Sequence, residues 1–180
     1  MRSLLLVVGS LIFAAPHLVL AQQNSVAADP CARYQWDISR ERTLFAAAPT
    51  PVAAAKEVGS SPSTIATDRA YRVQLAPAAQ VVFAAAPGKA SPAGGSYAGM
   101  LAFKVPVAGN YRVAVDMPMW LDVVADTHLV PAADYEGQHD CAAPRKIVQF
   151  SLEANKLLIL QMSGVSEASA RVTIVRASAD

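Results

Sequence analysis

From Tyr71 onward, hydrophobic and polar positions alternate with a period of two. Tyr71, Val73 and Leu75 are separated by Arg72 and Gln74, and Pro77 stops the run. Met100 to Val105 sets Leu101, Phe103 and Val105 on one side, and Tyr111, Val113 and Val115 alternate with Arg112, Ala114 and Asp116. In Trp120 to Ala125, Leu121, Val123 and Ala125 oppose Trp120, Asp122 and Val124. Val81–Phe83, Lys146–Leu152, Lys156–Met162 and Arg171–Ala177 complete the set, with turns marked at Pro87-Gly88, Pro106 to Asn110, Met117-Pro118, Asn155 and Gly164. About eight short strands, with breakers every eight to twelve residues and no long helix-period run, predict an all-β antiparallel sandwich or barrel. Tyr111 belongs in its core, because Val113 and Val115 share its face.

The first seventy or so residues read differently. Tyr34, Trp36, Ile38, Leu44 and Phe45 surround Arg40, Glu41 and Arg42, a short helical pattern with Asp37 placed to cap Arg40 and Glu41. Ala46 to Pro51 and Gly59 to Ser63 are breaker clusters, so 47–66 is expected to be an irregular surface connection, open to disorder. At the N-terminus Arg2 precedes the uncharged run Leu4 to Ala15, Pro16 follows, and Val19-Leu20-Ala21 offers small residues before Gln22. That is the three-part pattern of a signal peptide, and the run is shorter than the roughly 20 apolar residues that cross a bilayer. The expected organisation is a signal peptide at 1–21, an extended and partly helical arm with its linker at 22–70, and the sandwich at 71–180. The product would be periplasmic or secreted, with no membrane span after cleavage.

Charge narrows the partners. Lys and Arg number 15 against 14 Asp and Glu, and losing Arg2 brings the two into balance. The charges are scattered singly, which argues against nucleic acid as a partner. The chain has two cysteines, Cys31 and Cys141, and in an oxidising compartment such a pair forms a disulfide. Closing so long a loop is credited with roughly 4 to 5 kcal/mol in the chain-entropy view.

The stretch Tyr97 to Val115 carries Val105-Pro106-Val107-Ala108-Gly109-Asn110-Tyr111 between two alternating strands, followed by Trp120-Leu121-Asp122-Val123-Val124. With Phe150 to Ala154 and Leu160 to Gly164, this resembles the pre-peptidase C-terminal type of domain over residues 71–177. The resemblance implies a small secreted jelly-roll-like sandwich that serves as a non-catalytic accessory or binding module. The chain departs from that family in two ways. The hydrolase domain that such modules follow is not here, and the loop carboxylates of calcium-binding members are not clearly clustered.

Candidate chemistry is sparse. His128, Asp134, Glu136, His139 and Asp140 lie between Asp126 and Cys141, and two histidines with a carboxylate can hold Fe(II) or Zn. His128, Glu136 and His139 are therefore the candidate ligands of a divalent metal, in a cupin-like dioxygenase or a hydrolase. The chain lacks the His-x-His of cupins, and Asp134 to Gly137 read better as a polar turn. Gly95-Ser96 and Ser163-Gly164 are fragments of a serine nucleophile motif at most. Exposed aromatic rings stack on sugars, which makes Trp120, Tyr97 and Tyr135 candidate ligand contacts, together with Asp122 beside Trp120, a carboxylate that otherwise reads as a solvent-facing strand charge. The reading that ranks first is a binding or accessory domain without cofactor, its partner a carbohydrate or another envelope protein. A metal-dependent enzyme, or a structural partner docking through residues 34–45, are the alternatives.

Overall fold

The computed structural model describes residues 28–60, 62–89 and 95–178. The expected signal peptide lies outside them. Among the described residues, no helix is long and apolar enough to cross a membrane.

The chain folds mainly as β-structure in two mixed sheets packed face to face. Twelve strands are described: β1 Thr50–Ala53, β2 Thr64–Ile65, β3 Ala70–Gln74, β4 Ala76–Pro77, β5 Tyr97–Phe103 and β6 Gly109–Val115. After them come β7 Trp120–Ala125, β8 His128–Val130, β9 Ala132–Gly137, β10 Lys146–Leu152, β11 Leu158–Val165 and β12 Ser169–Arg176. The first sheet runs β1-β3-β12-β6-β10-β9; the second runs β2-β5-β11-β7-β8, with β4 on β5. The pairings β1–β3 and β2–β5 are parallel. The period-two residues do what their pattern requires: Val73, Leu101, Phe103, Val113, Val115, Val123 and Leu160 are fully enclosed between the sheets. Tyr111 joins them, its hydroxyl donating to Val107 O at 2.9 Å.

Both outer faces are covered as well. On the first sheet, the helix α1 (Ser39–Ala46) and a 3₁₀ turn (Pro30–Arg33) bury Tyr34, Ile38 and Phe45 against Ala114 and Ile147. Asp37 is not the cap: the N-cap is Ile38, without a side-chain hydrogen bond, and Asp37 Oδ1 accepts instead from Ser39 N at 2.9 Å. The Cys31–Cys141 disulfide is formed and closes a separation of 110 residues. Around it Arg33 meets Asp140 at 2.8 Å, Tyr34 Oη donates to Pro144 O at 3.0 Å, and Gln138 Nε2 donates to Arg33 O at 3.2 Å. Burial pushes the Tyr34 phenol up to about 12. On the second sheet, Val81, Phe83, Ala84 and Ala85 cover Met100, Ala102, Val124 and Ile159.

Several expectations need correction. Val81–Phe83 is not a strand: Val81 and Phe83 lie down on a sheet face while Val82 is exposed, and Gln161 exchanges hydrogen bonds with Ala85 N and O in place of a neighbouring strand. The stretch 47–60 and 62–66 is ordered into β1, β2 and a 3₁₀ turn, because the sheet edges at β3 and β5 offer unpaired backbone groups to it. Gly99 permits that approach, since a Cβ there would meet Ala54 Cβ at 2.4 Å. Asp134 to Gly137 lie in the strand β9, not in a turn. An edge strand can be polar on both faces, which hides it from an alternation test. Gly164 sits within β11 at φ 68° where the register shifts, and the chain turns after Val165.

Beneath α1 lies a buried ion pair. Glu41 is 1% exposed and Arg112 is 3% exposed, with Arg112 Nη1 3.9 Å from Glu41 Oε1. Arg112 is held by Asp37 O at 3.0 Å, by Gln149 at 3.3 Å and by the Trp36 ring, whereas Glu41 Oε1 accepts no hydrogen bond. Burial raises the Glu41 carboxyl above its ordinary value of 4.5, against the opposing pull of Arg112. A carboxyl that binds its proton more tightly in the fold contributes stability fully below its unfolded pKa. That contribution is lost as pH rises through the folded pKa. Urea titrations should therefore show the stability of Glu41→Gln gaining on the native protein as pH is raised from 4 to 7. A difference independent of pH would refute the assignment.

Candidate functional site

The concavity with the most convergent chemistry lies at one edge of the sandwich. β8 pairs only with Val123 to Ala125, so Trp120, Leu121 and Asp122 have no β8 neighbour. After β8 the chain passes Pro131 and crosses to the other sheet, where β9 pairs with β10. The two sheets are therefore bridged at one end of this edge and part at the other, leaving a cleft of about 400 Å³. Leu121, Val148 and Phe150 form its apolar inner wall, Leu129 to Ala132 its side, and Trp120, Asp122, Tyr135 and Lys146 its polar and aromatic rim.

Each rim residue is positioned by its strand. Asp122, expected to face solvent, is 7% exposed. Its Oδ1 accepts from Trp120 Nε1 at 2.9 Å and its Oδ2 from Gly88 N at 3.1 Å. The carboxylate is thus the pin that orients the indole and anchors the covering segment. Gly88 is needed there, because a Cβ would stand 3.0 Å from Asp122 Oδ1 and 3.3 Å from Trp120 Nε1. Tyr135 is opposite Val148 in the β9–β10 ladder and so shares its inward face. Its ring is nevertheless 70% exposed, lying where the opposite sheet ends.

Lys146 is the residue the sequence reading missed. It is in phase with Val148, Phe150 and Leu152, which all enter the core, so its stem points inward. Its ammonium donates to Met119 O at 2.9 Å and lies 5.1 Å from the centroid of the Trp120 ring; Lys89 approaches the same ring at 5.8 Å. Burial, with the charge of Lys89, lowers the Lys146 pKa from 10.5, and Asp122 opposes that shift. A groove of about 340 Å³ continues past Tyr135 and Lys146 to Arg145 and His139. A second concavity of about 570 Å³, edged by Val58, Val82 and Leu157, contains none of the residues singled out from sequence.

The other candidates lie elsewhere. Tyr97 is half-buried at the start of β5, packed against the core and two strands away from β7. His128 opens β8, its Nδ1 2.7 Å from Asp126 O. Glu136 points to the opposite face of β9 and accepts from Gln35 N at 2.9 Å and Trp36 N at 3.2 Å, which fastens the N-terminal arm. His139 is held by Arg145, which donates to its carbonyl and stands 3.3 Å from its Nδ1. Among the described residues, no three His, Cys, Asp or Glu side chains gather as a metal site requires, so the proposed triad is not assembled. In comparisons with known proteins, neither a family model nor a curated protein matches the chain.

The pinning role of Asp122 is testable. Asp122→Ala leaves the indole and Gly88 N–H groups without their charged acceptor and should cost roughly 2 kcal/mol in urea unfolding. Trp120→Phe, which removes one donor and keeps the other bond, should cost less. An Asp122→Ala protein as stable as the native one would remove the pin.

Proposed function

We infer that this chain is a non-catalytic binding module acting outside the cytoplasm, with a small ligand held in the edge cleft. The observation that carries this reading is the convergence of Trp120, Asp122 and Tyr135 with Lys146 on one cleft of about 400 Å³, within the size range of small-molecule sites. The mostly apolar wall and few polar groups are the usual composition of such sites. The leader-like N-terminus and the Cys31–Cys141 disulfide support export to a periplasmic or external compartment.

The sandwich is best described as a jelly roll. In support, β3-β12-β6-β10 are neighbours in one sheet and β5-β11-β7-β8 in the other, so the closing strands interleave with the opening ones. The resemblance of 71–177 to pre-peptidase C-terminal modules agrees with an accessory role. Carbohydrate binding would rest on Tyr135, for the Trp120 ring is flanked by two lysines and its N–H is committed. Docking of an envelope partner through 34–45 would compete with the protein's own sheet, where Tyr34, Ile38 and Phe45 are buried. A metal-dependent enzyme would need His128, Glu136 and His139 brought together from three different settings.

Two measurements test the reading. The intact mass of protein recovered from the extracytoplasmic fraction should correspond to residues 22–180; the mass of the full chain would refute processing after Ala21. Octan-1-ol, an uncharged amphiphile, should give saturable amide NMR shifts confined to residues lining the cleft, such as Leu121, Leu129, Tyr135 and Val148. Shifts that do not saturate, or that spread over the whole surface, would dismiss the cleft as a binding site.

A further inference from the structure

We propose that the ligand of the edge cleft is a small amphipathic anion, its apolar body seated against Leu121, Val148 and Phe150 and its anionic head on Lys146. The inference rests on the cleft being a binding site and specifies what enters it. A lysine ammonium has three N–H donors, and among the described residues Lys146 spends one, on Met119 O. Among the described residues no carboxylate lies within salt-bridge distance of it, although its stem is half-buried at the rim of an apolar wall. Asp122, the acid whose charge acts on Lys146, has its two oxygens engaged by the Trp120 indole and Gly88.

Lys146 is joined at the mouth by a second lysine. Lys89 shares the Trp120 ring with Lys146, and Arg145 stands in the adjoining groove. Glu136 lines the same groove as Arg145, with its carboxylate occupied by two backbone N–H groups of the arm. The two lysines repel each other, and the buried one is held below its ordinary affinity for a proton. A bound anion relieves both costs at once, whereas a neutral head relieves neither and a cationic head adds to them. The aromatic ring of Tyr135, exposed and on the inward face of β9, is placed to cover the apolar body beside the head. A cleft of about 400 Å³ accommodates a single short chain or a ring system.

The test compares three probes with one apolar chain: octanoate, octan-1-ol and octylammonium. Octanoate should bind about tenfold more tightly than octan-1-ol, the effect of one charge-assisted hydrogen bond, and octylammonium more weakly than either. Lys146→Met should abolish the preference for octanoate over octan-1-ol, and the exposed Lys89→Ala should reduce that preference in part. Octanoate binding no better than octan-1-ol to the native protein would overturn the anion assignment and leave the cleft intact. Failure of all three probes to shift the cleft residues would overturn the binding site itself. Should Lys146→Met not fold, the ranking of the probes on the native protein and on Lys89→Ala decides the matter.

Discussion

The tie between the N-terminal arm and the β9–β10 connection is the constraint on which the rest depends. Both outer faces of this sandwich carry apolar side chains, so each must be covered by chain that has no sheet of its own. On the first sheet that cover is the segment 29–46, joined to residues far along the sequence by the Cys31–Cys141 bond and by Glu136, Gln138, Asp140 and Pro144. The disulfide lowers the entropy of the unfolded chain, while Glu136 accepts from two N–H groups just before α1. Tyr135 lies in β9 just before that connection, Arg145 ends it, and Lys146 opens β10 after it. Fixing the arm therefore also fixes one wall of the cleft.

The strands that bury one face were legible, because period-two alternation is a direct image of one wet and one dry side. Lys146–Leu152 has the same bounds in sequence and structure, and Trp120–Ala125 does too. Elements with no such contrast were not legible. β9 is exposed along almost its whole length, so its residues Asp134 to Gly137 imitate a turn. Val81–Phe83 is apolar enough for a strand, yet it lies across the outside of a sheet, where apolar residues are buried without a ladder. β1, with Pro51 inside it, is paired in parallel with β3 across a long connection, and nothing local records such a partner.

The cleft was half legible for a similar reason. Trp120, Asp122 and Tyr135 stand out by residue type, and three of the four nominated contacts reached one site. Tyr97 did not, since residue type says nothing about which edge of the sandwich a strand occupies. The role of Asp122 was misread because its two donors come from a neighbouring residue and from Gly88, which no strand pattern connects to it. Lys146 did leave a signal: it is the one charged residue in phase with Val148, Phe150 and Leu152. A lysine on the dry phase of a strand is costly unless its amine reaches water or a partner, and that cost marks a position where the core opens.

Why the opening lies at this edge follows from how exposed edges are kept from pairing with other chains. An unpaired strand edge is a template for association, and proteins blunt it with short strands, proline, bulges and inward charges. Three of the four occur here: β8 has three residues, Pro131 follows it, and β9 is bulged where Ala132 and Asp134 oppose Phe150 and Gln149, while Lys146 points inward from β10, the next strand in. Each device also holds the two sheets apart at their rim, because none can complete a continuous ladder from one sheet to the other. The protection of the edge and the formation of the cleft thus have a single cause. In a sandwich whose two faces are already covered by its own chain, this edge is where the apolar interior remains open.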